Sequence, residues 1–191
     1  MTKSRLEAFS DGVVAILITI MVLELKVPHS AGWQALRPML PTFLAYLMSF
    51  VFLGIYWNNH HHMLHAATRI NGKILWANLH LMFWLSLVPF VTGWMGENHR
   101  ESAPTAAYGL VLLFAAIAYT ILQKAIIAVQ GPGSKLAEAV GDDSKGKASA
   151  LLYVAAVPLS YVRPWIADAI YVFVAMMWLV PDPRIEARLK A

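Results

Sequence analysis

Residues 5–28 read Arg5-Leu6-Glu7-Ala8-Phe9-Ser10-Asp11-Gly12-Val13-Val14-Ala15-Ile16-Leu17-Ile18-Thr19-Ile20-Met21-Val22-Leu23-Glu24-Leu25-Lys26-Val27-Pro28. From Gly12 to Leu23 nothing is charged and the one hydroxyl is Thr19. A helix needs about 20 largely apolar residues to cross roughly 30 Å of hydrocarbon. The spacing therefore predicts a membrane span over Leu6 to Val27, with Pro28 marking its exit because proline cannot continue a helix. Glu7 and Asp11 precede the apolar run, and Lys26-Val27-Pro28 stands where a small-residue cleavage site belongs. Both features predict a retained structural helix rather than a cleaved signal peptide.

Outward from this helix the apolar character persists. The 191 residues are 59% hydrophobic and 14% charged, more apolar surface than one soluble core of that size can hide. Five further spans are expected: Pro38 to His62; Ile74 to Met95, kinked or ended early by Pro89; Thr105 to Val129; Ala148 to Tyr161; and Ile166 to Val180. The last two are short and read as a hairpin turning at Arg163-Pro164-Trp165. Gly131-Pro132-Gly133 opens the polar linker before them. The expected class is an all-α polytopic membrane protein, six transmembrane helices per subunit, forming a single domain over residues 1–191.

Six spans put both termini on one side, and the basic residues orient them. Lys3, Arg5, Arg69, Lys73, Lys124, Lys135, Lys145, Lys147, Arg184, Arg188 and Lys190 fall on that side, against Lys26, Arg37, Arg100 and Arg163 on the other. Eleven against four predicts cytoplasmic termini by the positive-inside rule, with Trp33, Trp94 and Trp165 at the outer interface. Scattered in this way, the net charge of +4 describes orientation rather than a nucleic-acid surface. The chain has no cysteine, which excludes disulfides and thiolate chemistry.

An acid at the entrance of an apolar helix is costly, so Asp11 requires a partner. At about 100° per residue, Gly12, Ile16, Thr19, Ile20, Leu23 and Val27 fall within roughly 60° of one line, and Asp11 lies about 140° from Ile16. One stripe is thus apolar apart from a single hydroxyl, while Asp11 and Ser10 turn toward the rest of the subunit. Such a stripe is compatible with lipid contact or ordinary helix packing. It is also compatible with a pore lining, in which rings of Ile16 and Leu23 constrict the path and Thr19 offers oxygen to a partly dehydrated cation.

Arg5 with Phe9-Ser10-Asp11, the continuation Gly12-Val13-Val14-Ala15-Ile16 and the exit Val22 to Pro28 resemble the transmembrane protein 175 family of potassium channels, especially its prokaryotic branch. Trp57-Asn58-Asn59-His60 fits the family's Trp-x-x-His in the second span, and Asn78-Leu79 with Pro89-Phe90 fits its third. The likeness is strong over the first half of the chain. It implies a homotetramer, since the motif occurs once per chain here, with the first helix of each subunit lining the pore. It further implies a potassium-selective channel that conducts passively in a prokaryotic plasma membrane, with Ile16, Thr19 and Leu23 at the constriction. The motif network would comprise Arg5, Phe9, Ser10, Asp11, Trp57, His60 and Asn78. No Thr-Val-Gly-Tyr-Gly filter is present, so selectivity must use another arrangement.

His60 is expected to pair with Asp11 and to fix the first helix against the second and third. His61 and His62 read as a solvated span end. A metal site in this run is disfavoured, since neighbouring histidines on a helix diverge by about 100°, and neither metal nor cofactor is expected beyond the permeant potassium ion. His80 lies about 200° from Asn78 and should serve a different contact. The competing function is a proton-coupled cation transporter using an Asp11/His60 relay. No internal repeat supports it. No His-Glu-x-x-His or Gly-x-Ser-x-Gly string suggests a hydrolase, and the chain reads as no enzyme. The expected surroundings are lipid bilayer and monovalent cations.

Overall fold

In the first helix, Leu6, Ser10, Val14, Leu17 and Met21 recur every three or four residues, and the structure buries this stripe because such residues share one helical face. A computed structural model of the chain describes residues 2–179. Among these, regular structure is entirely helical: α1 (Lys3–Leu23), a 3-10 helix (Trp33–Met39), α2 (Leu40–Ala66), α3 (Gly72–Ser86), α4 (Val88–Glu97), α5 (Ser102–Gln130), α6 (Lys135–Val140), α7 (Ser144–Val162) and α8 (Pro164–Leu179).

These elements make the six-segment membrane bundle expected. Four helical stretches are long and apolar enough to cross a bilayer, namely Lys3–Leu23, Trp33–Ala66, Gly72–Glu97 and Ser102–Gln130, and Pro164–Leu179 is a shorter apolar helix. With α7 it forms the expected terminal hairpin, while α6 is a short helix in the linker. Val180, Arg184, Arg188 and Lys190, invoked for the sixth span and for orientation, lie outside the described residues.

The ends of α1 and α2 differ from the expected ones, while the third span is interrupted near Pro89 as expected. Helix α1 stops at Leu23, where the Glu24 amide donates to the Met21 and Val22 carbonyls, so Val27 falls beyond it and Pro28 follows the exit rather than causing it. Helix α2 continues to Ala66, which leaves His61, His62 and His65 still helical. The third span breaks at Leu87, with Pro89 in the first turn of α4, where its missing donor costs nothing.

Packing positions α1 at a flank. It touches chiefly α2, α3 and α4, while α5 occupies the middle against α3, α4, α7 and α8. Lipid tails are as apolar as leucine, so close packing rather than water exclusion holds such helices together. Gly96 shows how close: a Cβ there would come within 2.8 Å of the Thr42 Cα, so only glycine lets α4 approach α2 this tightly.

Candidate pore face and the polar anchor of the first helix

The face of α1 opposite its buried stripe has no partner within the subunit. Ile16 is 58% exposed and Leu23 78%, and Gly12, Ala15 and Thr19 are exposed along with them. The Thr19 hydroxyl is turned back on its own helix, where the carbonyls of Ala15 and Ile16 lie 3.1 and 2.9 Å away. Its proton is therefore spoken for, which leaves the oxygen as an acceptor on the open face. The face is apolar, with one hydroxyl oxygen available to a cation between two bulky aliphatic residues.

The buried side carries the anchor. The ring Nε2 of His60 lies 2.7 Å from the Asn78 Oδ1, the Asn78 Nδ2 donates to the Ser10 Oγ at 3.0 Å, and Ser10 donates to the Leu6 carbonyl at 2.9 Å. An amide oxygen can only accept, so the His60 Nε2 must carry the proton. Each group thus has a defined role, and Ser10, His60 and Asn78 are all buried. The chain of bonds ties α1 to α2 and α3.

Asp11 belongs to a second pair. Its Oδ1 accepts from the Trp57 indole nitrogen at 2.9 Å. The expected pairing of Asp11 with His60 is therefore corrected: the amide of Asn78 stands on His60, and the tryptophan satisfies the acid. Both residues of the Asp11–Trp57 pair lie nearer the surface than His60. Arg5 and Phe9 do not join either group. Both are exposed on the subunit, and Arg5 makes no hydrogen bond or ion pair among the described residues. His80 accepts instead from the Trp84 indole at 2.9 Å, in keeping with its angular separation from Asn78.

Two contacts that the sequence did not disclose also position α1. Just past its C-terminal end, the outer end in the orientation expected from the basic residues, Lys26 forms an ion pair with Glu97 of α4 at 2.5 Å. Glu97 raises the Lys26 ammonium above its ordinary range, by hydrogen bonding and by charge. At its N-terminal end, the inner one in that expected orientation, the Lys3 Nζ donates to the His65 carbonyl at 2.7 Å and lies 3.8 Å from Glu7. Pairs this remote in sequence leave no local signature. A basic residue just past a helix end and an acid closing another are the only hints. Among the described residues, no three metal-ligating side chains converge.

The family model described as "Endosomal/lysosomal potassium channel TMEM175" matches residues 5–89, which span α1 to the start of α4. A potassium channel of Chryseobacterium sp. (strain P1-3) is 55% identical over 190 residues, covering 100% of this chain and 99% of that protein. An endosomal/lysosomal proton channel TMEM175 of Gallus gallus is 32% identical over 61% of this chain and 26% of its own length. The crystal structure of a lysosomal potassium-selective channel TMEM175 homolog from Chamaesiphon minutus superposes with a TM-score of 0.83 at 27% identity, over 93% of this chain and 96% of that one. Similarity that runs through the anchor residues and on to the end of the terminal hairpin admits one assignment: the chain belongs to the TMEM175 family of potassium channels.

Proposed function

We infer that this chain is the subunit of a potassium-selective channel that conducts passively through a hydrophobic constriction. Four copies would surround one axis, each presenting the open face of α1, so that rings of Ile16 and Leu23 narrow the path and Thr19 oxygens lie between them. The observation that carries the reading is the division of α1: Ser10 and Asp11 are bonded toward α2 and α3, and the opposite face from Gly12 to Leu23 is left apolar with a single free acceptor. Exposed aliphatic residues are at ease in lipid, so exposure alone decides nothing. Combined with the exposed Thr19 oxygen and with bacterial relatives named as potassium channels, it favours a pore over a lipid face. The chain would form one domain in a prokaryotic plasma membrane with cytoplasmic termini.

A proton-coupled relay is less well supported. It requires Asp11 and His60 to exchange a proton, yet each has a different partner in the structure.

The test is potassium flux into proteoliposomes holding the purified protein. Downhill uptake without a proton gradient is expected, together with changed conductance or selectivity in Ile16→Asn while the oligomer survives. Flux that appears only under an imposed proton gradient would overturn the channel reading, and unchanged currents in Ile16→Asn would remove Ile16 from the constriction. With the vertebrate relative named as a proton channel, the same vesicles loaded with a pH dye report whether protons also pass.

A further inference from the structure

The continuation of α2 to Ala66 changes the reading of its histidines. Within the consecutive run the rings diverge, as His61 and His62 show with planes at 70°. His65 lies four residues beyond His61, and residues so spaced share one helix face. Their rings are stacked, with centroids 6.2 Å apart and planes only 18° from parallel. Both residues are exposed, and no hydrogen bond engages either ring among the described residues. We propose that His61 and His65 form a two-imidazole binding site for a divalent first-row metal ion, of the copper, nickel or zinc class, at the inner end of α2.

The geometry suits the chemistry. A metal ion sits about 2.0–2.1 Å from each imidazole nitrogen, and two rings at this separation reach a shared ion by side-chain rotation alone. Paired histidines four apart on a helix are the arrangement that zinc-binding helices use. No third ligating side chain converges among the described residues, so water completes the coordination and the site is an exchangeable one, not a structural centre. One charge beside the site is Lys3, which donates to the His65 carbonyl. Glu7, 3.8 Å from it, offsets its repulsion.

The position gives the site a consequence. Trp57 packs on the His61 ring at 6.2 Å, and the same indole holds Asp11. Lys3 holds the carbonyl of His65. Both inner tethers of α1 therefore land on the turns of α2 that a bound ion would clamp.

The experiment is a copper(II) titration of the full-length, tag-free protein in detergent, followed by electron paramagnetic resonance. One ion per chain with nitrogen couplings from two imidazoles is expected, with nickel and zinc binding more weakly in the usual order. His61→Ala and His65→Ala should each weaken binding at least about tenfold, since loss of a ligand exceeds the loss of a supporting group. His62→Ala and His99→Ala should bind as the native chain does. Equal binding by the native chain and the His61→Ala, His65→Ala double variant, or a spectrum with a single imidazole, would overturn the proposal. Binding is read without ion flux, so the outcome is independent of the channel assignment.

Discussion

Among the described residues, two buried chains of hydrogen bonds share the same logic and have different duties. In the inner half, His60 donates to Asn78, Asn78 to Ser10, and Ser10 to a carbonyl of its own helix. In the outer half, Tyr108, Ser49 and Thr92 follow one another at 2.9 and 2.7 Å, and Thr92 donates to the Val88 carbonyl at 2.6 Å. The outer chain joins α2, α4 and α5 where these helices already interlock. The inner one fastens α1, a flank helix whose opposite face is bare. Without a hydrophobic drive between helices in lipid, directional bonds matter most where enclosure is least. Holding α1 by a few bonds on one side leaves its other side free, as the proposed pore requires.

The comparison breaks most directly at Asn78, which is fully buried and serves two partners. Asn78→Ala leaves the His60 donor without an acceptor, a loss of about 1–3 kcal/mol for a buried unpaired group. A lower melting temperature in detergent and a smaller peak of the proposed tetramer on size exclusion are expected. Asn78→Asp, which keeps the acceptor for His60, should recover part of both. A native-like Asn78→Ala would show that packing alone holds α1.

Gly109 probes the outer half by crowding instead. A Cβ there would lie 2.2 Å from the Tyr171 hydroxyl, which donates to the Thr105 carbonyl at 3.0 Å. Gly109→Ala must displace the tyrosine and break that bond. Overpacking of this kind costs about 1–3 kcal/mol, and the oligomer and its ion selectivity should persist at reduced melting temperature. Tyr108→Phe is milder. Ser49 and Thr92 keep their bond to each other, so the loss should be near 0.6 kcal/mol, roughly the average for hydrogen bonds inside a membrane protein. If Tyr108→Phe proved as damaging as Asn78→Ala, the two chains would not differ in duty.

The two chains also differed in legibility. Asp11, His60 and Asn78 stand out because ionisable and amide groups inside apolar spans demand partners, and the angular spacing on α1 already placed Asp11 away from Ile16. Which partner each one takes could not be read, because Trp57, His60 and Asn78 all face α1 and only side-chain geometry separates the pairs. The outer hydroxyls were silent. Ser49, Thr92 and Tyr108 each satisfy themselves on a neighbouring carbonyl or hydroxyl, and a lone hydroxyl in an apolar run carries no periodic signal. Helix ends were misplaced for a related reason: α1 stops at Leu23 by local capping, with no glycine or proline at the stop itself.

A last comparison sets the buried inner anchor of α1 against its exposed outer one. Lys26 and Glu97 have the shorter contact, yet their side chains are 80% and 52% exposed, and water and salt screen a pair in such a place. Lys26→Gln should therefore leave the melting temperature of the oligomer almost unchanged, far less altered than in Asn78→Ala. Because Glu97 raises the Lys26 ammonium above its ordinary value of 10.5, the pair stays charged on the lysine side until strongly alkaline pH. Any contribution is present below 10.5 and fades as pH climbs past the raised value. Salt is the more practical lever: raising ionic strength should erase the small difference between Lys26→Gln and the native chain and leave that of Asn78→Ala intact. A large, salt-resistant loss in Lys26→Gln would mean that the outer pair is enclosed in the assembled channel, and that α1 is gripped at both ends alike.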